Sequence, residues 1–201
     1  MEVISKVLFW VANSLLIPDI ILLLLLFGRS LILIGSFYNQ FMVKRKNDKL
    51  MGNTIQNLND TSVADLHKQL PEKDNSLIIK YLREIVGSPQ NETSIDFHIT
   101  NFEIEAEKDL SLSKMLAKLG PVLGLIGTLI AMSPALVGLS TGDISGMAYN
   151  MQVVFATTVV GLVISAIGLF TLQVKQRWYA KDVNNLDFVS RLLIENKKSN
   201  E

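Results

Sequence analysis

Cysteine is absent from this 201-residue chain, histidine occurs twice, and charge is nearly missing from three long stretches. Without cysteine there is no disulfide and no thiolate-held metal, a lack that fits either side of a membrane. His67 and His98 stand alone among polar neighbours and read as solvated groups. No nucleophile is paired with a base, no ligand cluster is spaced for a metal, and no glycine loop is built for phosphate. No enzyme activity, cofactor or metal is therefore expected. Formal net charge is zero, which gives no argument for nucleic acid, and none is expected as a partner.

The uncharged stretches say most. They are residues 15–43, interrupted by Asp19 and Arg29, then 119–139 and 148–174. Each is long enough, at about 1.5 Å of rise per residue, to cross a hydrocarbon core of about 30 Å. Buried helices of a soluble bundle are the alternative. Against it, the only Asp, Glu, Lys, Arg or His between 119 and 174 is Asp143, and a water-facing helix would not be so bare. The expected fold is all-α: an integral membrane protein with three transmembrane helices. The second and third run on into the cytoplasm as long helices, and the lipid bilayer is a partner in itself.

Orientation follows from the placement of the basic residues. Of 19 Lys and Arg, eleven lie in 44–118 and six from Lys175 onward, leaving Lys6 and Arg29; the connection between spans two and three has none. By the positive-inside rule that connection and the N-terminus face outward, and the middle segment and tail face the cytoplasm, as in an inner-membrane protein. Lys44, Arg45 and Lys46 after span one, with Lys175 and Arg177 after span three, carry most weight because they lie nearest the membrane. The N-terminal stretch is too long for the apolar part of a signal peptide, and no small-residue cleavage site follows it, so it is read as a retained span.

Four segments result. Residues 1–43 are a lead-in, opened by Phe9 and Trp10, and the first span, with Pro18 near its start where a missing N–H costs little. If the span begins near Leu15, Asp19 lies near the outer surface and Arg29 near mid-depth. If it begins near Phe9, Arg29 reaches the inner surface and Asp19 lies inside. Either charge is a functional candidate or a snorkelling or packing charge. Residues 44–118 form a cytoplasmic helical segment: Leu77, Ile78, Tyr81, Leu82, Ile85 and Val86 keep a helical period, punctuated by Pro71 and by Gly87-Ser88-Pro89. Ile95, Ile99, Phe102, Ala106 and Leu110 carry the period into span two, as one long helix. Residues 119–174 are a membrane hairpin turned at Ser140-Thr141-Gly142-Asp143. Residues 175–201 are a helical tail striped by Trp178, Val183, Leu186, Val189 and Leu193.

The hairpin carries two faces of small residues. Gly120, Gly124, Gly127, Thr128, Ala131, Ala135 and Gly138 share one side of span two; Thr157, Thr158, Gly161, Ser165 and Gly168 form a stripe on span three. Small residues let backbones approach closely in lipid. On packing grounds alone the threonines serve helix association or a pore, and both readings stay open.

Gly120-Pro121-Val122-Leu123-Gly124-Leu125-Ile126-Gly127-Thr128 resembles the signature that opens the second helix of the ExbB/TolQ proton-channel subunits and, more distantly, MotA. Thr157-Thr158-Val159-Val160-Gly161-Leu162 resembles the signature of their third helix. The resemblance implies a homopentamer around a single-span partner of ExbD, TolR or MotB type that carries an intramembrane Asp. It implies that Thr128 and Thr158 line the pore, with Thr157 as a neighbour that can substitute, and that Gly120, Gly124, Gly127, Gly161, Ser165 and Gly168 pack the helices around it. The chain departs from the pattern at Val153, where many relatives carry a glutamate. It also lacks the tryptophan-containing continuation after Thr128, having Leu129-Ile130-Ala131 instead. Asp19 is then the only local substitute for the missing acid, and the ion, proton or sodium, stays open. Counted from Lys118 and Lys175, Thr128 lies about 15 Å deep and Thr158 about 25 Å, which puts the two hydroxyl levels roughly 10 Å apart. The implied function is the outer ring of an ion-driven motor. A non-conducting scaffold is the alternative, and a transporter is disfavoured because neither broken spans nor internal repeats are evident.

Overall fold

The structure is a computed structural model that describes residues 2–57, 76–88 and 91–200. His67, Pro71 and Pro89 lie outside the described residues. Those described form four helices: α1 Glu2–Asn57, α2 Leu77–Gly87, α3 Glu92–Thr141 and α4 Ile144–Asn200. No strand occurs among them, and α1, α3 and α4 each contain a stretch long and apolar enough to span a membrane.

The lead-in and the first span are one helix. Pro18, expected near the start of a span, sits inside α1. Its ring removes the N–H that would have bonded the Ser14 carbonyl. The turn between α3 and α4 is set by local chemistry. Gly142 has φ +76°, the left-handed region that favours glycine. The Asp143 N–H reaches back to the Gly138 carbonyl at 2.8 Å, and the Gly142 N–H bonds the Leu139 carbonyl at 3.3 Å, together closing α3 in a Schellman motif. Asp143 then caps α4: its Oδ1 accepts the Gly146 N–H at 2.9 Å.

The chain divides into two compact units, 1–36 with 112–172, and 37–111 with 173–201. In the first, α1 buries Asp19, Leu23, Leu26, Ser30 and Leu33. Steps of four and three make this a heptad-type seam. Leu23, Leu26 and Leu33 pack with Leu116 and Leu123 of α3 and Ile164 of α4. Much of the remaining apolar surface, including Leu24, Leu25, Leu129, Phe155 and Leu162, points outward.

The second unit has a core of Ile78, Ile79, Tyr81, Leu82 and Ile85 from α2, with Ile95, Phe102 and Ala106 from α3 and Leu186, Val189 and Leu193 from α4. Phe102 centres it, edge-on to Tyr81 at 5.7 Å and to Tyr179 at 6.1 Å. Several of the polar groups buried beside this core are paired. The Lys175 Nζ lies 2.8 Å from Asp109, which also accepts the Tyr179 hydroxyl at 2.8 Å; Asp182 pairs with Lys44. His98, expected to be solvated, is partly covered, with Nδ1 3.4 Å from a Glu84 oxygen.

Candidate membrane pore wall

The two small-residue faces meet along the α3–α4 hairpin. A Cβ added to Gly120 would lie 2.5 Å from the Gly161 carbonyl oxygen, and one added to Gly161 would lie 2.5 Å from the Gly120 carbonyl oxygen. At Gly168 it would meet the Ala117 nitrogen at 2.5 Å, and at Gly124 the Thr157 carbonyl at 3.1 Å. Backbone therefore touches backbone, a contact only glycine permits. Ser165 adds a hydrogen bond across the pair, its Oγ donating to the Ala117 carbonyl at 3.0 Å. Thr171 and Ser113 join hydroxyls at 3.1 Å one step further along.

The three threonines do not share an environment. Thr157 is buried, and its Oγ1 is within hydrogen-bond reach of the Val153 and Val154 carbonyls at 3.1 and 3.0 Å. Thr128 and Thr158 are half-exposed and bond their own helices, at the Leu125 and Val154 carbonyls. In those bonds the hydroxyl proton is committed while the oxygen can still accept.

Register corrects the depth expected from counting. Gly127 faces Thr157: a Cβ there would lie 2.9 Å from the Thr157 Cβ. Thr128 is one residue past this contact on α3, and Thr158 one past it on the antiparallel α4, so about 3 Å separates them along the axis. The expected separation of roughly 10 Å assumed that Lys118 and Lys175 are level. They are not, because Lys175 faces Asp109. In an antiparallel pair of right-handed helices, one step beyond a mutual contact turns to the same side on both helices. Thr128 and Thr158 thus share one side of the hairpin. Val160 and Ile167 lie on the other side and pack with Leu23, Leu26 and Leu33, so α1 occupies that side.

Asp19 is brought to the hydroxyl level from α1. It is 6% exposed, and a Cβ on Gly127 would lie 2.9 Å from its Oδ2. Val153, the position at which the chain departs from the pattern it resembles, lies one turn before Thr157 on the same face of α4, so the carboxyl near Thr157 comes from another helix. Arg29 is exposed on α1 and is not brought to this group. The sequence marked Asp19 as a candidate intramembrane charge and the local substitute for the missing acid, without deciding its depth. Its place in a 4-3-4-3 seam was the available signal that it faces inward.

No group of three or more His, Cys, Asp or Glu positioned for a metal occurs among the described residues. What the hairpin offers is a closely packed wall with two hydroxyls at one level on one side and a carboxyl at that level on the other. No curated protein matches the chain. Residues 71–187 match the MotA/TolQ/ExbB proton channel family, a stretch that takes in α2, α3 and most of α4 and leaves out Asp19 with the rest of α1. With three apolar helices and more than half its length in that match, the chain is an integral membrane protein and belongs to the MotA/TolQ/ExbB proton channel family.

Proposed function

We propose that the chain is the ring-forming subunit of a proton-driven membrane motor, with five copies surrounding a single-span partner of ExbD, TolR or MotB type that carries an intramembrane Asp. The observation that carries this reading is the pairing of the family match with a hairpin whose Thr128 and Thr158 lie level on the side away from α1. A hydroxyl can hold water or orient a carboxylic acid without the cost of a buried charge. Five such pairs would ring the partner at one depth. A partner carboxyl that gains and loses a proton would then meet equivalent hydroxyls on successive subunits. The drive is about 2.3 kcal/mol per charge per 100 mV, enough to bias a packing change between two states.

In this reading the apolar stretches of α1, α3 and α4 cross the membrane. Asp19 lies within it, and Arg29, about 15 Å further along α1, reaches the cytoplasmic face. Residues 44–118 and the tail from Lys175 lie in the cytoplasm, with the extensions of α3 and α4. Gly120, Gly124, Gly127, Gly161, Ser165 and Gly168 hold the wall closed, and Thr157 packs behind it.

The bonds of Thr128 and Thr158 to their own helices are also those of hydroxyls used for packing alone, which keeps the scaffold reading in view. The double variant Thr128→Val, Thr158→Val separates the two, since it keeps shape and removes the polar group. Native mass spectrometry should still find five copies, while proton flux through the assembly with its partner should be lost. Full flux in the double variant, with the gradient verified, would transfer preference to the scaffold.

A further inference from the structure

The carboxyl of Asp19 is buried without a partner: neither oxygen makes a hydrogen bond. Gly127 faces it from α3 and Thr157 from α4. The space it fills exists because Gly127 has no side chain, since a Cβ there would come within 2.9 Å of Oδ2. Thr157 turns its Cβ and Cγ2 toward Gly127, and its hydroxyl is taken up by Val153 and Val154. Among the described residues no Lys, Arg or His forms an ion pair with Asp19. An aspartate stem is too short to carry its head out to water as lysine or arginine does. An ionised carboxylate so placed has neither counter-charge nor donor, whereas a neutral acid has only one O–H to satisfy. A hard metal cation would need several oxygens around it, and among the described residues no group of three or more His, Cys, Asp or Glu is positioned to supply them.

We propose that Asp19 is a proton-binding site of this chain's own, at which each subunit takes up a proton on the carboxyl seated over Gly127 and releases it during the ion-driven cycle. The carboxylate gains one proton to become the neutral acid that fits the site, and returns it on leaving for wetter surroundings. Thr128 and Thr158, next in sequence to Gly127 and Thr157, stand at the same level across the hairpin wall. This proposal rests on the reading of the chain as a motor subunit. It adds an acid within the ring subunit to the one assigned to the partner.

Infrared difference spectroscopy on the purified full-length chain tests the site directly. The wild type should show the C=O band of a protonated carboxylic acid in apolar surroundings, and Asp19→Asn should lose it without losing assembly. Gly127→Ala, which crowds the carboxyl, should shift the band. No such band, a band that survives Asp19→Asn, or one that sodium ions abolish at constant pH would overturn the proposal. In liposomes containing the chain and its partner, proton flux should fall in Asp19→Asn to the level without partner, and flux equal to wild type would also overturn it. If wild type with partner carries no protons, the motor reading fails instead, and the band alone still decides whether Asp19 binds a proton.

Discussion

At the scale of the residue, glycine is defined here by what it lacks. Gly161 and Gly120 each leave room for the other's carbonyl, and an added methyl would stand 2.5 Å from a backbone oxygen that cannot rotate away. Gly161→Ala should therefore push α3 and α4 apart and cost about 1–3 kcal/mol, the usual range for overpacking a filled interface. Gly35→Ala is the matched control, since a Cβ there meets nothing within 4 Å in the subunit. Thermal unfolding in mild detergent should show a lowered midpoint for Gly161→Ala and little change for Gly35→Ala. Equal midpoints for the two would mean that the close approach of α3 to α4 does not limit stability.

At the scale of the element, periodicity made most of the helices legible. The apolar stripes of α2, α3 and the tail of α4 in the sequence are the buried faces of the second unit. Gly142 and Asp143 announced the turn, because a left-handed C-cap and an N-cap each restrict residue type. Register between helices was not legible. Counting inward from Lys118 and Lys175 treated both as markers of one surface, yet Lys175 is only 2% exposed and is held by Asp109. A long charged side chain marks a membrane boundary only when it is free to reach water, and a single sequence does not reveal its partner.

The Lys175 pair also makes an asymmetric prediction. Asp109→Asn leaves a buried ammonium without its counter-charge, whereas Lys175→Met removes the charge and keeps most of the stem. Breaking a buried pair from one side costs up to about 3–5 kcal/mol, and the 35% exposure of the Asp109 side chain reduces this. Asp109→Asn should lower the unfolding midpoint more than Lys175→Met, and the double variant should recover part of the loss. A larger loss in Lys175→Met would show that the ammonium itself stabilises the fold.

At the scale of the whole molecule, the charge distribution predicts the sidedness of the chain, and the prediction is open to a direct test. The α3–α4 connection contains no Lys or Arg, and the segments following α1's and α4's apolar stretches contain nearly all of them. The positive-inside rule predicts that the connection faces outward. Because the chain has no cysteine, one introduced thiol is a unique reporter. Ser140 is exposed beside the turn, and Asn184 is exposed on the continuation of α4. In intact cells a membrane-impermeant maleimide should label Ser140→Cys, and it should reach Asn184→Cys only after the membrane is opened. The Ser140 hydroxyl donates only to the Val137 carbonyl of its own helix, so its replacement disturbs little. If the pattern were reversed, Asp19 would still face Gly127, but protons would reach it from the opposite compartment. The direction in which the gradient loads that carboxyl, and with it the direction in which the ring works, would then have to be reversed.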